Sequence, residues 1–85
     1  MKSFTYKITD PVGMHARPAS MLAKEIKNYK STVTITKNGK TLDAGKVMML
    51  MSLGIKCGEE IVLEVTGEDE EVAAAAIEAF LKANL

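Results

Sequence analysis

The chain has 85 residues, 47% of them hydrophobic and 26% charged, a balance that suits one small globular domain spanning residues 1–85 and argues against disorder. Eleven basic residues offset eleven acidic ones to a formal net charge of zero, which speaks against nucleic acid as a partner, because that binding draws on an excess of Lys and Arg. A single Cys and a single His exclude an internal disulfide and a multi-ligand metal site within the chain. No apolar run nears the roughly 18 residues that a membrane span needs, and residues 1–7 lack the apolar core of a signal peptide. The expectation is a cytoplasmic, reduced protein with no cofactor. A domain this small buries only about 60–65% of its unfolded surface. An enclosed ligand pocket is therefore not expected, and function should lie on the surface.

Taken in chain order, residues 4–9 alternate apolar and polar, as a half-buried strand does. Asp10-Pro11-Val12-Gly13 breaks that strand. Ala19, Leu22, Ala23, Ile26 and Tyr29 then recur at helical spacing and predict a helix over 18–30, with Pro18 in its first turn, where a missing N–H costs nothing. Val33 and Ile35 alternate in a strand over 32–36, Asn38-Gly39 is a hairpin turn, and a short strand follows at 40–42 before Ala44-Gly45 ends the hairpin. Residues 47–53 are short and almost wholly apolar, but Met and Leu outnumber β-branched residues, which favours a short helix closed by Gly54. Ile61, Leu63 and Val65 share one face of a strand over 60–66. After Gly67, Glu68, Asp69, Glu70 and Glu71 bring negative charge to the first turn of a last helix, where the macrodipole favours it. Ala73, Ala76, Ile77 and Phe80 read as the buried stripe of that helix, with Lys82 in its last turn. The order is β-α-β-β-α-β-α. Each strand has one apolar face, so an antiparallel sheet covered by helices on one side follows, a two-layer α+β fold.

The segment Gly13-Met14-His15-Ala16-Arg17-Pro18-Ala19-Ser20 places the only histidine where the chain enters the first helix. Helix starts offer unpaired N–H groups and a positive dipole end, so they attract anions. Arg17 adds a guanidinium fork suited to phosphate oxygens. An imidazole nucleophile, backbone donors and an arginine together suit a phosphoryl acceptor. On pattern alone the same residues also fit a surface histidine with no role. Along the helix, Arg17, Ser20, Met21 and Lys24 project away from the apolar stripe, with Lys27 at its margin. Two or three of Val47, Met48, Met49, Leu50 and Met51 should likewise be exposed, and methionine suits adaptable contact surfaces as well as cores. Cys57 matches no nucleophile pattern and reads as an incidental thiol. The carboxylates of residues 68–71 could be read as a metal cluster, but the helix dipole accounts for them.

His15-Ala16-Arg17-Pro18-Ala19, Asn38-Gly39-Lys40, Met51-Ser52-Leu53-Gly54 and Thr66-Gly67-Glu68-Asp69-Glu70 stand at spacings that resemble HPr. HPr is the histidine-containing phosphocarrier family of the bacterial phosphoenolpyruvate-dependent sugar phosphotransferase system. The resemblance covers essentially the whole chain. It implies an open-faced sandwich of a four-stranded antiparallel sheet and three helices. It further implies that His15 accepts a phosphoryl group on Nδ1 from phosphorylated enzyme I and passes it to a histidine of an enzyme IIA domain. Arg17 would stabilise the phosphate, and Ser20, Met21, Lys24, Lys27, Val47, Met48 and Met51 match positions where the family docks both partners. Such a protein is a monomeric carrier, not an enzyme with turnover of its own. A paralogue in a regulatory or nitrogen-related branch, or a noncatalytic interaction module, are the other readings. One position departs from the family. Many Gram-positive members carry a serine at the start of the second helix that an ATP-dependent kinase phosphorylates, slowing transfer at the histidine. Ungapped alignment puts Lys46 there, a residue that cannot form the ester and whose +1 charge opposes the roughly −1.5 to −2 of a phosphoserine.

Overall fold

The computed structural model describes residues 1–85 and forms β1 (Lys2–Lys7), α1 (Ala16–Ile26), β2 (Thr32–Lys37), β3 (Lys40–Asp43), α2 (Val47–Ser52), β4 (Glu60–Thr66) and α3 (Glu70–Asn84). The four strands make one antiparallel sheet in the order β1-β4-β2-β3. Strand alternation sorts the side chains into two faces. Phe4, Leu63, Ile35 and Leu42 stand opposite one another across the sheet and face the helices; the next row, Thr5, Val62, Thr36 and Thr41, lies on the other face. Ile35, Ile61, Leu63 and Val65 lose all their exposure beneath Ala19 and Leu22 of α1, Leu50 of α2, and Ala73, Ile77 and Leu81 of α3. This is the two-layer α+β sandwich, open on its threonine-bearing side.

The element bounds differ from the expected ones where tertiary contacts take over from spacing. The first strand pairs from Lys2 and its ladder ends at Lys7; the Ile8 amide still donates to Glu59 O, while Thr9 turns away and its amide donates to Leu85 O. Helix α1 starts two residues earlier than the spacing predicts and ends at Ile26 rather than residue 30. The amides of Asn28 and Tyr29 tighten to carbonyls three residues back. The Asp69 carboxylate then takes the Lys30 amide at 2.9 Å and the Ser31 hydroxyl, drawing the chain out of the helix and toward β2. In α3 the buried row is Ala73, Ala74, Ile77 and Leu81; Ala76 and Phe80 sit at its half-buried margin. Alanines on every side of this helix leave its phase undetermined by periodicity, and packing against β1 and β4 sets it. At the hairpin, Asn38 and Gly39 take φ of 51° and 81°, the left-handed pair that a tight two-residue turn demands.

The acidic run also resolves differently from its expectation. Only Glu70 and Glu71 lie in the first turn of α3. Glu68 pairs with Lys30, Glu70 with the Met1 ammonium, and Glu71 with Lys2, while Asp69 holds the turn before β2. The four carboxylates are turned to different groups and do not converge on one point.

Candidate functional site

The histidine is carried by a loop whose shape is set by short-range chemistry. Asp10 Oδ1 accepts the Val12 amide at 2.8 Å and Asp10 O accepts the Gly13 amide at 3.0 Å, turning the chain back after β1. Gly13 then takes φ +78°, and a Cβ there would lie 2.5 Å from Ile55 O. Only glycine fits that combination of left-handed backbone and close approach. Met14 is buried, and its amide donates to the same Ile55 carbonyl at 3.0 Å. The loop is thereby seated on residues 55 and 56 before it reaches His15.

His15 occupies the N-cap of α1 in extended conformation, with φ −107° and ψ −175°, and its side chain does not cap the helix. Its carbonyl accepts the Ala19 amide at 3.0 Å, which begins the helical ladder. The amides of Ala16 and Arg17 have no acceptor within the protein, and Pro18 has none to offer. Two N–H donors and the positive end of an 11-residue helix therefore face outward beside a half-buried imidazole. His15, Arg17, Pro18 and Met21, together with Asp10 and Asn84, line an open cleft of about 220 Å³. The structure thus places His15 and Arg17 in one cleft and adds two residues the sequence did not single out. Asp10 read only as a turn former. Asn84, whose Nδ2 donates to Phe80 O at 3.0 Å, comes from the far end of the chain, and only the packing of α3 reveals its place.

Beside the cleft, α1 and α2 pack against each other. Arg17, Ser20, Met21, Lys24 and Lys27 are all exposed on α1. On α2, Leu50 is fully buried, Val47 half-buried, and Met48 is 80% exposed with Met49 and Met51 near 40%. Burying Leu50 alone is worth about 1.5–3 kcal/mol, so one side chain anchors the short helix and its methionines are left for the surface. Lys46 is the exposed N-cap residue of α2, its carbonyl accepting the Met49 and Leu50 amides at 3.1 Å. Arg17, Lys24, Lys27 and Lys46 enter no ion pair, unlike Lys2, Lys30 and Lys37. Exposed methionines and unpaired cations thus occur together on α1 and α2. Cys57 lies apart from both features, exposed, with Sγ 3.7 Å from Thr9 O.

A family model described as the PTS HPr component phosphorylation site matches residues 2–83. The chain belongs to the HPr family. The phosphocarrier protein HPr of Mycoplasma genitalium is 45% identical over 85 aligned positions, covering 99% of this chain and 97% of that one. The HPr of Mycoplasma capricolum is 44% identical, covering 91% and 86%. Among solved structures, the mycoplasma histidine-containing phosphocarrier protein superposes with a TM-score of 0.93 at 40% identity, covering 96% of this chain and 93% of that chain. HPr from Bacillus anthracis gives a TM-score of 0.88 at 31% identity, covering 94% and 95%. The HPr family accounts for the open sandwich, and membership makes the chain a phosphocarrier of the phosphotransferase type. No helix is long and apolar enough to cross a membrane.

Proposed function

We propose that this protein receives a phosphoryl group on His15 Nδ1 from phosphorylated enzyme I and delivers it to a histidine of enzyme IIA domains. The observation that carries the reading is the cleft lined by His15 and Arg17 at the start of α1, where the Ala16 and Arg17 amides are free. In the first step the imidazole lone pair forms a bond to phosphorus as the donor's N–P bond breaks, and the electrons of that bond return to the donor imidazole. In the second step the acceptor's lone pair does the same to His15. Negative charge sits on the phosphoryl oxygens throughout, and the two amides, the helix start and the guanidinium are placed to meet it. No bond made by the carrier outlasts the cycle, so it acts as a carrier between two partners and has no turnover alone.

Both partners would use one surface. Met21, Met48, Met51 and Val47, with Ser20, Lys24 and Lys27, would make a patch that acidic partner surfaces with apolar centres complement. Flexible methionines suit one face that must release two different proteins. Lys46 extends the positive rim where a regulatory phosphate would reverse its sign, and we take the carrier to be insensitive to seryl phosphorylation at this position. We place it in the cytoplasm, where phosphoenolpyruvate is made, and take it to be a monomeric single domain over residues 1–85.

The test is incubation with phosphoenolpyruvate and enzyme I, read by intact mass and peptide mapping. One acid-labile phosphate on His15 is expected, lost in His15→Ala. An unlabelled wild-type protein, under conditions that label an established carrier, would overturn the reading and leave a noncatalytic binding module.

A further inference from the structure

Lys37, the last residue of β2, holds the most enclosed cation among the ion-paired lysines: its side chain is 12% exposed, against 49% for Lys2 and 80% for Lys30. All its partners lie in the segment 53–59. The ammonium donates to Leu53 O at 3.0 Å and Gly54 O at 2.9 Å, and pairs with Glu59 Oε1 at 2.9 Å. The two carbonyls follow the end of α2, where the helix is negative. Three donors meet three acceptors, which is all an ammonium can satisfy. Glu59 Oε1 also accepts the Lys56 amide at 2.6 Å. The carboxyl of Glu59 is held below the usual glutamate range, first by the Lys37 hydrogen bond and then by that amide.

The other side of the same segment supports the histidine loop. Ile55 O accepts the Met14 amide, and the backbone of residues 55 and 56 closes on Gly13. The Gly58 amide donates to Ile8 O at 2.8 Å and the Ile8 amide to Glu59 O at 3.0 Å, pinning the segment's far end to the strand that leads into the loop. Lys37 itself lines neither the cleft nor the methionine patch. Nothing in the transfer chemistry calls for it.

We propose that Lys37 is a positioning residue for phosphoryl transfer, acting through the segment 53–59: it fixes the Leu53 and Gly54 carbonyls and the Glu59 carboxylate, and the segment so held fixes the Ile55 carbonyl beneath Met14 and thereby aims His15. The inference rests on the phosphocarrier reading above. Without the ammonium, the Leu53 and Gly54 carbonyls and the Glu59 carboxylate lose the one group that joins them, and the segment is no longer tied to the end of β2. The Met14 hydrogen bond moves with it. Misplacing a reacting group by 1 Å can cost on the order of 10²-fold in rate, and a smaller displacement here should cost about 10-fold.

The experiment compares wild type, Lys37→Met and Glu59→Gln. Amide hydrogen exchange is followed at Met14 and at Leu63 in the centre of the sheet, and kcat and KM are measured for each protein as the phosphoryl acceptor of enzyme I. Lys37→Met should speed exchange at Met14 about 10-fold while leaving Leu63 slow, and lower kcat about 10-fold with KM within about twofold. Glu59→Gln should shift both readouts the same way by less. Unchanged kcat, a rise in KM alone, or exchange accelerated equally at Met14 and Leu63 would overturn the proposal, the last by reducing Lys37 to a general stabiliser. Should Lys37→Met fail to fold, wild-type kinetics and wild-type Met14 exchange in Glu59→Gln would overturn it. The wild-type arm separates the two readings. An unlabelled wild type withdraws the carrier reading and this inference together, whereas a labelled wild type with variants that match it removes this inference alone.

Discussion

Gly13→Ala measures how tightly the histidine loop is seated. Gly13 takes φ +78°, and an added Cβ would lie 2.5 Å from Ile55 O and 2.9 Å from Lys56 Cα. The left-handed backbone costs an L residue roughly 1–2 kcal/mol, offset by about 0.4–1 kcal/mol from the stiffer unfolded chain. The contact itself is with backbone, which cannot swing aside as a flexible side chain could. Relieving it costs about 1–3 kcal/mol of overpacking strain and weakens the Met14–Ile55 hydrogen bond, worth about 0.5–1.5 kcal/mol. The expected loss is about 1.5–6 kcal/mol in all. Gly39 provides the control, because it has φ +81° and an added Cβ would meet nothing within 4 Å, so Gly39→Ala carries the backbone cost alone. Urea unfolding of both variants, with the linear extrapolation to water, gives the difference directly. A Gly13→Ala protein within about 0.5 kcal/mol of Gly39→Ala would refute the claim that the loop rests on residues 55 and 56.

Three further outcomes follow from the same structure. Met48→Asp or Met51→Asp places a negative charge in the exposed apolar patch and should weaken enzyme I and enzyme IIA binding together, by about 10-fold or more; NMR titrations showing unchanged affinity for both would take these residues out of the interface. The Asp69 carboxyl is held below the usual range by the Ser31 hydroxyl and then the Lys30 amide. Its contribution is therefore present above the ordinary aspartate value of about 3.9 and fades as pH falls through the lowered one. Asp69→Asn should be less stable at neutral pH and show a shallower acid slope, and identical slopes in acid titrations followed by circular dichroism would exclude the link. Lys46→Ser should gain one phosphate from the seryl kinase and ATP where wild type gains none; phosphate on wild-type Ser52 with slowed transfer at His15 would contradict the insensitivity proposed for Lys46.

The apolar alternation of Val33 and Ile35, and of Ile61, Leu63 and Val65, was enough to read the central strands, because each residue type has one place to go when a sheet is covered on one side only. His15 and Arg17 were legible for a similar reason: a lone histidine before Pro18 marks a helix start by local rules. What escaped the sequence depends on partners far away in the chain. Asp69 ends α1 from 38 residues away through Ser31, and no pattern within α1 announces it. Asn84 reaches the cleft only because α3 lies across β1 and β4. Lys37 reads as an ordinary polar residue before a hairpin turn, and its enclosure appears only once Glu59 and the end of α2 fold over it.

The zero net charge, which argued against a nucleic-acid partner, leaves four unpaired cations on α1 and at the start of α2. Glu59, Glu68, Glu70 and Glu71 are each tied to a cation or to the amino terminus. Asp69 is occupied with Ser31 and Lys30. Those carboxylates are thus engaged in holding the fold. Arg17, Lys24, Lys27 and Lys46 are tied to none, and all four open on the face that holds His15 and the methionines. A partner approaching that face meets a positive field that the neutral total does not express, and at physiological ionic strength such a field reaches about 8 Å, enough to orient an encounter. The apolar contact of the methionines then needs to hold the complex only for the time of one transfer. Under the proposed transfer from enzyme I to enzyme IIA, strong affinity would slow the carrier's departure, so free charge beside a small, adaptable apolar centre fits that role.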